Sequence, residues 1–534
     1  MKLVLIYLIL LANFVSMVHL GLYIIGGNIY DIRQFMRRRF QIKSQKSSRR
    51  PLVSVIVPAH NESAGIRKTL NSIMQSTYKN IEIIVVDDGS RDDTAAIVDT
   101  YWRFRPNARV QEYIARTPRS GSMSRRYLRQ FAVSAKGRTV RQSNQGKGTA
   151  MNNAIKNYAQ GEYVMCLDAD SELEPHAIER AVRHLEDPNV MGVAANVRIG
   201  GGNHWLTLLQ RFEHMIGYRA KKFYTVSNSE FLVGGVASTY RRELVQEVGY
   251  YDTDTMTEDI GLSLKLIAHK GNAKQRVIYA ADVIAITAGV QTFAALMKQR
   301  YRWKLGSLQN LYKYRYLLFN RDSKKYSMTL TMYRLPMAFL SEIMLLLGPI
   351  MMAYLLYISI SRHSFAIFAG AYMTLTLYTL WVIWPDEHYG LREKIVMSLQ
   401  SLFIYGLFFT MDFVQLVAMI RVLSHREQVT LKTRTSSTWA SPARAGQTEV
   451  GVVDYVRALT LKSHFLLGRA PSKTKGTNNI NTTSPSRPYD VTVVPHVSHY
   501  KNQVSERKTR QLSRTPHILA GSHRHYQWPA VVRG

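Results

Sequence analysis

Residues Tyr163 to Asp170 read Tyr-Val-Met-Cys-Leu-Asp-Ala-Asp, an apolar run that stops in two carboxylates one residue apart. The run is too short for a helix, and Glu162 before it and Ser171-Glu172 after it are polar. It therefore reads as a buried central strand of a parallel sheet, which confines this part of the chain to the α/β class. Ligands collect at the carboxyl ends of such strands. Two hard oxygen donors there, Asp168 and Asp170, suit Mg²⁺ or Mn²⁺, which take their other ligands from water and a substrate diphosphate. An ordinary acidic turn after a strand explains the same two residues, so the pair needs support from the rest of the chain.

Leu52–Val57 is a second such strand, ended by Pro58, with Pro58-Ala59-His60-Asn61-Glu62 as the polar turn after it. Ile66, Leu70, Ile73 and Met74 follow at helical spacing. Ile81–Val86 then runs into Asp87-Asp88-Gly89-Ser90. Two βα units of this kind imply a parallel sheet covered on both faces. Asp87 and Asp88 also fit a helix cap with Ser90. Residues 101–143 carry many arginines and little apolar period, which predicts a basic loop near a membrane. Asn144-Gln145-Gly146-Lys147-Gly148 opens a helix faced by Met151, Ala154, Ile155 and Tyr158. Bare amides and a lysine at such a turn can cradle phosphate, although many turns of this composition bind nothing.

Past the Asp168/Asp170 pair the pattern predicts a helix over 175–185, a strand over 190–196 and an amphipathic helix over 205–224. Gly234-Gly235 permits close backbone approach to a ligand or another strand. Thr257-Glu258-Asp259 opens a helix containing Ile260, Leu262, Leu264, Leu266 and Ile267. Capping accounts for Thr257 and Glu258 but not for Asp259. A carboxylate among carboxylates can have a raised pKa, as a general base requires. Gln299, Arg302 and Trp303 share one face at the end of a helix starting near Gln291. They offer an amide, a guanidinium for diphosphate and an indole for a sugar ring, and the same helix is also basic enough to lie on a membrane.

Residues 3–27 carry no charge and exceed the ~20 residues needed to cross a bilayer. They are too long for a secretory signal and lack a clear cleavage site. Basic residues crowd after them, from Arg33 to Arg50, so the N-terminus is expected outside and residue 30 onward in the cytoplasm. Residues 307–333 suit an interfacial helix, and three spans are expected at about 335–360, 364–385 and 395–421. Glu342 and Asp412 inside them are pore or packing residues. Three spans place the basic tail outside, against the positive-inside rule, unless one segment lies flat. The tail from 430 has the composition of disorder, with one amphipathic patch at Val452–Leu467. The net charge of +33 clusters beside these segments, pointing to anionic lipid rather than nucleic acid. Cys166 is the only cysteine, which excludes an intramolecular disulfide, and its strand position makes it a buried hydrophobe. The expected organisation is a membrane helix (1–28), a basic linker (29–50), a cytoplasmic catalytic domain (51–305), an interfacial region (306–333), a membrane region (334–421) and a basic tail (422–534).

Taken together, Val57-Pro58-Ala59-His60-Asn61-Glu62, Val86-Asp87-Asp88-Gly89-Ser90, Asn144 to Gly148, Asp168-Ala169-Asp170, Thr257-Glu258-Asp259 and Gln299 to Trp303 resemble the family 2 glycosyltransferases. They look most like the membrane-embedded processive branch that includes cellulose, chitin, hyaluronan and poly-N-acetylglucosamine synthases. The resemblance implies a GT-A fold, a Rossmann-like nucleotide-sugar-binding domain, combined with transmembrane helices, and an inverting mechanism. It gives uridine to Asp88 with Asp87, with Pro58, Asn61 and Glu62 alongside, and puts Lys147 near uracil or diphosphate. Asp168 and Asp170 would serve nucleotide and metal. Asp259, beside Glu258, would be the base, and Gly235, Gln299, Arg302 and Trp303 would face diphosphate and acceptor. Inversion independently needs one base opposite the leaving group and positive charge for the departing diphosphate. The 101–143 loop is longer than the family pattern, and His60 stands where a tyrosine is common. Val248-Gly249-Tyr250 and Met256 to Ile260 lie nearer the N-acetylglucosamine-transferring members.

The expected activity is metal-dependent transfer of a sugar, N-acetylglucosamine first, from a UDP donor to a growing β-linked polysaccharide, with extrusion between the spans compatible with it. The expected partners are nucleotide sugar, polysaccharide or lipid acceptor, and lipids of the plasma membrane. Two alternatives stay open: non-processive transfer to a lipid or other acceptor, and an inactive membrane protein that binds polysaccharide, lipid or nucleic acid.

Overall fold

The computed structural model describes residues 2–41, 50–103, 136–201, 204–361, 363 and 365–432. The expectations for the basic segment at 104–135, for residues 42–49 of the linker, and for the tail from 433 with its Val452–Leu467 patch lie outside them. The strands are β1 (Val53–Ala59), β2 (Ile81–Asp88), β3 (Lys136–Gln142), β4 (Tyr163–Cys166), β5 (Ser171–Leu173), β6 (Val190–Gly200), β7 (Ser238–Arg241) and β8 (Arg276–Ala288). Among the described residues they make one sheet in the order β3-β2-β1-β4-β7-β6-β8-β5.

Apolar runs build the middle of this sheet because both faces are buried. Val53, Val55 and Val57 of β1, Ile83 and Val85 of β2, and Tyr163 and Met165 of β4 enter one core. Ile56, Ile84, Val86, Val164 and Cys166 from the same strands enter the core on the other face. β1 pairs in parallel with β2 (Val53 opposite Ile81) and with β4 (Val53 opposite Tyr163), so their carboxyl ends lie side by side. That alignment gathers the turns after Ala59, Asp88 and Cys166 at one rim.

The sheet is mixed rather than wholly parallel. β7 runs antiparallel to β4 and β6, and β5 antiparallel to β8. The sequence pattern assigns no strand at β5, β7 or β8 and implies a wholly parallel sheet, and apolar period carries no strand direction, so neither reversal is legible in it. The last residues of the expected basic loop are also ordered as β3, which pairs with β2 along the sheet edge. Among the residues of β3, only Val140 is a buried apolar side chain, so this edge strand has no run for the eye to find. Gly137 is required there, since a Cβ would stand 2.3 Å from the Trp102 ring.

The helices are α1 (Lys2–Gln41), α2 (Ile66–Met74), α3 (Thr94–Arg103), α4 (Lys147–Asn157), α5 (Ala177–Leu185), α6 (Trp205–Val226), α7 (Arg242–Glu247), α8 (Glu258–Lys270), α9 (Phe293–Lys313), α10 (Leu335–Ser361), α11 (Phe365–Ile383) and α12 (Leu391–Ser424). No break separates the expected first span from its linker, because α1 continues to Gln41. It lies against α6 at Gly26 and Gly27, where added Cβ atoms would meet Phe223 and Arg219 at 2.5 Å. Arg219, buried there, donates to Asp31 Oδ2 at 2.5 Å and to Asn28, while Lys222 reaches Asp31 Oδ1 at 2.6 Å. The Tyr30 hydroxyl donates to Tyr279 O and accepts from Ala281 N, joining α1 to β8.

α9 does not end at Trp303 but continues to Lys313, burying Leu305, Leu308 and Leu311. No single interfacial helix follows it, only a 3₁₀ turn at Arg315–Leu317 and a π turn at Thr329–Arg334 that leads into α10. The three C-terminal helices lie where spans are expected. Two stretches, Thr329–Ile350 and Gly406–Ser424, are long and apolar enough to cross a membrane by length and composition, and Tyr372–Ile383 is a shorter apolar helix.

Candidate active site

At the carboxyl ends of β1 and β2 the two turns interlock. Asn61, at φ 55°, donates its N–H to Ser90 Oγ at 2.9 Å, and its Oδ1 accepts from Arg91 N at 2.8 Å. Asp87 Oδ1 accepts from Ser90 N at 3.2 Å, the cap-like role open to it in the sequence. Asp88 is fully buried and holds the next turn. Its Oδ1 accepts from Gln145 N at 3.0 Å and Gln142 Nε2 at 2.8 Å, and its Oδ2 from Gly146 N at 2.8 Å. His60 Nδ1 donates to Asp88 O at 2.8 Å, and Asn144 Nδ2 lies 3.1 Å from His60 Nε2. The buried carboxylate thus fixes the turn that delivers Lys147.

Lys147, the first residue of α4, points into a cavity of about 560 Å³. Its Nζ lies 2.6 Å from Asp168 Oδ1 and 3.4 Å from Glu258 Oε1. Burial works against its charge, but Asp168, Glu258 and Asp259 outweigh that and hold it protonated. Asp168, Asp170, Glu62, Gly235, Glu258, Asp259, Gln299, Arg302 and Trp303 line the same cavity. Pro58, Asn61, Asp87 and Asp88 do not line it and stand behind it in the turns just described.

Asp259 accepts from its neighbour's amide, Ile260 N, at 2.9 Å. Burial first, and then the charge of Glu258, push its carboxyl up to about 6, with Lys147 pulling the other way. Gly235 is needed where it is, because a Cβ would stand 2.8 Å from Lys147 Nζ and 3.4 Å from Asp259 Oδ2. The hydroxyl of Thr257 does not cap α8. Asn310 Nδ2 lies within donating distance of Thr257 O (2.9 Å), Thr257 Oγ1 (3.1 Å) and Gly306 O (2.9 Å), so α9 anchors the start of α8.

Asp168, whose Oδ1 is paired with Lys147, and Asp170 are the carboxylates that would hold a divalent cation. Both face one cavity, and among the described residues no group of three His, Cys, Asp or Glu side chains forms an all-protein site. Two carboxylates suit a hard cation that draws its remaining ligands from water and a diphosphate. Several lining residues carried no signal in the sequence. Lys221 donates to Leu232 O at 2.8 Å, and burial lowers its pKa. Arg300 is bound to Glu213, and Lys304 Nζ reaches Glu342 Oε2 at 2.7 Å. Arg300 lies within the Gln299–Trp303 segment, but its partner is 87 residues away, beyond any local pattern.

A doubly covered sheet whose strand ends open on a carboxylate-lined cavity is the architecture of the GT-A class of nucleotide-sugar transferases. Residues 50–306 match the family described as "Glycosyltransferase like family 2". Similar proteins include the poly-beta-1,6-N-acetyl-D-glucosamine synthase of Staphylococcus aureus (strain COL), 28% identical over 54% of this chain and 63% of that one. The match therefore spans less than two thirds of that relative's length. The Staphylococcus epidermidis protein of the same name is 25% identical over 80% of this chain and 96% of its own. Among solved structures, a mannosyltransferase from Pyrobaculum calidifontis in complex with GDP-Man and Mn²⁺ aligns with a TM-score of 0.42 and 18% identity, covering 76% of this chain and 98% of that one.

Proposed function

We propose that this protein transfers N-acetylglucosamine from a UDP donor to the end of a growing β-linked polysaccharide, with inversion, at the cytoplasmic face of the plasma membrane. The observation that carries the reading is the reach of the cavity. It begins at Asp168 and Asp170, passes Asp259, and extends to Glu342 on α10 and Gln415 on α12, helices that include the two stretches apolar enough to span a bilayer. A polymer acceptor extended toward the membrane needs such a path, and a small acceptor does not. The names of the Staphylococcus relatives support the choice of sugar.

In this reading Asp259 takes the proton of the acceptor hydroxyl. That oxygen attacks the anomeric carbon, and the bond to the diphosphate breaks on the opposite face, its electron pair leaving with UDP. Lys147 and Arg302 receive the developing negative charge. A divalent cation held by Asp168 and Asp170 would supply further charge neutralisation at the diphosphate. Asp88 acts on the uridine side, where it also fixes the turn before Lys147, with Asp87 capping the Ser90 turn and Pro58, Asn61 and Glu62 beside them. Gln299 and Trp303 face the acceptor end. Residues 51–305 would be the cytoplasmic catalytic domain, with α1 and residues 334–421 as its membrane segments.

The test is UDP release by full-length protein in nanodiscs, with Mg²⁺ or Mn²⁺, across a panel of UDP-sugars. Release with UDP-N-acetylglucosamine should fall by about 10² to 10⁴ in Asp259→Asn, the usual worth of a general base. Folded wild-type protein that releases no more UDP than the variant, whichever donor is supplied, would sink the proposal.

A further inference from the structure

The cavity wall contains an ion pair with no part in the chemistry just described. Arg300 of α9 is only 5% exposed, and its two terminal nitrogens donate to Glu213 of α6, Nη1 to Oε1 at 2.9 Å and Nη2 to Oε2 at 2.6 Å. Its Nε has no partner among the described residues, so Glu213 alone fixes the guanidinium. Arg300 precedes Trp303 by three positions, and its guanidinium carbon lies 4.4 Å from the centre of the Trp303 ring. A planar cation at that distance is attracted to the ring face and restrains the indole from turning.

Glu213 itself projects from a fixed point. One turn earlier, Gln210 is buried, and its side chain both donates to Val290 O at 2.8 Å and accepts from Val290 N at 3.1 Å. This ties α6 to the segment that leads into α9. Glu213, Arg300 and Trp303 all line the catalytic cavity. A brace that only glued two helices together would have no reason to lie in that wall against the Trp303 indole.

We propose that Glu213 and Arg300 are positioning residues for the acceptor, holding the Trp303 indole at the angle on which the terminal acceptor sugar stacks. The inference rests on the polysaccharide reading above. Its content is specific: the pair sets acceptor affinity, and the donor site is independent of it.

The test is calorimetric titration of full-length protein in nanodiscs with a β-1,6-linked N-acetylglucosamine hexamer, at saturating UDP, alongside a titration with UDP. Glu213→Gln leaves Arg300 buried without its counter-charge and risks the fold. The double variant Glu213→Gln/Arg300→Gln removes both charges, and Glu213→Asp keeps the pair. Hexamer Kd should weaken about tenfold in the Gln variants, a cation–π-sized effect, and return to within about threefold of wild type in Glu213→Asp. UDP Kd should hold within about twofold throughout, and acceptor KM should rise far more than kcat falls. Hexamer Kd within about twofold of wild type in the double variant, with UDP binding intact, would overturn the assignment. If the variants lose hexamer affinity but wild-type protein releases UDP from no donor, the clamp stands and the transfer reading falls. Release by wild type with hexamer affinity unchanged across the variants sinks the clamp alone.

Discussion

Asp259 lies between forces that oppose one another, with burial and Glu258 raising its carboxyl to about 6 while Lys147 draws it down. A base works only when deprotonated, so kcat/KM should be flat above that value and drop about tenfold per pH unit below it. A pH profile whose acid limb lies near 4 instead would remove the base from Asp259. The same shift has a thermodynamic sign. The folded protein binds this proton up to about pH 6, whereas the unfolded chain releases it near 3.8, so the group lowers stability as pH rises through that window. Asp259→Asn should therefore lower turnover by the same factor of about 10² to 10⁴ and yet stabilise the fold at pH 7.5 by roughly 1 to 3 kcal/mol, read as a higher Tm. At Gly235 the added methyl of alanine would meet Lys147 Nζ at 2.8 Å, the mobile end of a side chain. Gly235→Ala should keep the Tm and lose activity by about tenfold or more through a displaced lysine. Lys147, Asp168, Asp170, Glu258, Asp259 and the Gln299 face were legible in the sequence because each sits in a short local pattern. Glu213, Lys221 and Arg300 were not, since only folding brings their partners to them.

At the level of elements, α9 links the cavity to its surroundings. It presents Gln299, Arg302 and Trp303 to the cavity, holds the start of α8 through Asn310, and packs Leu305 and Leu308 against Met419 and Val422 of α12. Gln309 accepts from Met256 N, just before α8, at 2.9 Å and donates to Gln428 O, just past α12, at 2.9 Å. Gly306 is where α9 meets the first turn of α8, and a Cβ there would stand 2.4 Å from Thr257 Oγ1 and 2.7 Å from Thr257 N. Backbone cannot swing aside as a lysine end can. Gly306→Ala should cost about 1 to 3 kcal/mol, seen as a drop in Tm together with lost activity. Strands β1, β2 and β4 and the helices after them could be read directly, because burial on both faces writes a continuous apolar run. The reversal of β7, the edge strand β3 and the final turns of α9 could not. Strand direction leaves no mark on period, an edge buries little, and the end of α9 is stabilised by helices far away in the chain.

For the whole molecule, α1 is part of the catalytic unit rather than a detachable anchor. Arg219 is 3% exposed and owes its compensation to Asp31 and Asn28 of α1. A chain lacking residues 1–41 would lose these pairs together with the packing of Leu20 and Ile24 against the apolar cluster that includes Leu209, Phe212 and Met215 of α6. It should therefore elute as aggregate or melt well below the full chain, where a mere tether would leave Tm unchanged. One further feature acts on the molecule as a whole. Cys166 is the only thiol in the chain, buried under the sheet with its Sγ 3.1 Å from the Tyr251 hydroxyl, and burial pushes it up to about 11. Toward a maleimide or a methanethiosulfonate reagent the native protein is in effect blank. Single cysteines introduced on α9 and α12 can thus carry spin or fluorescent labels without background, and the distance between them can be followed through turnover.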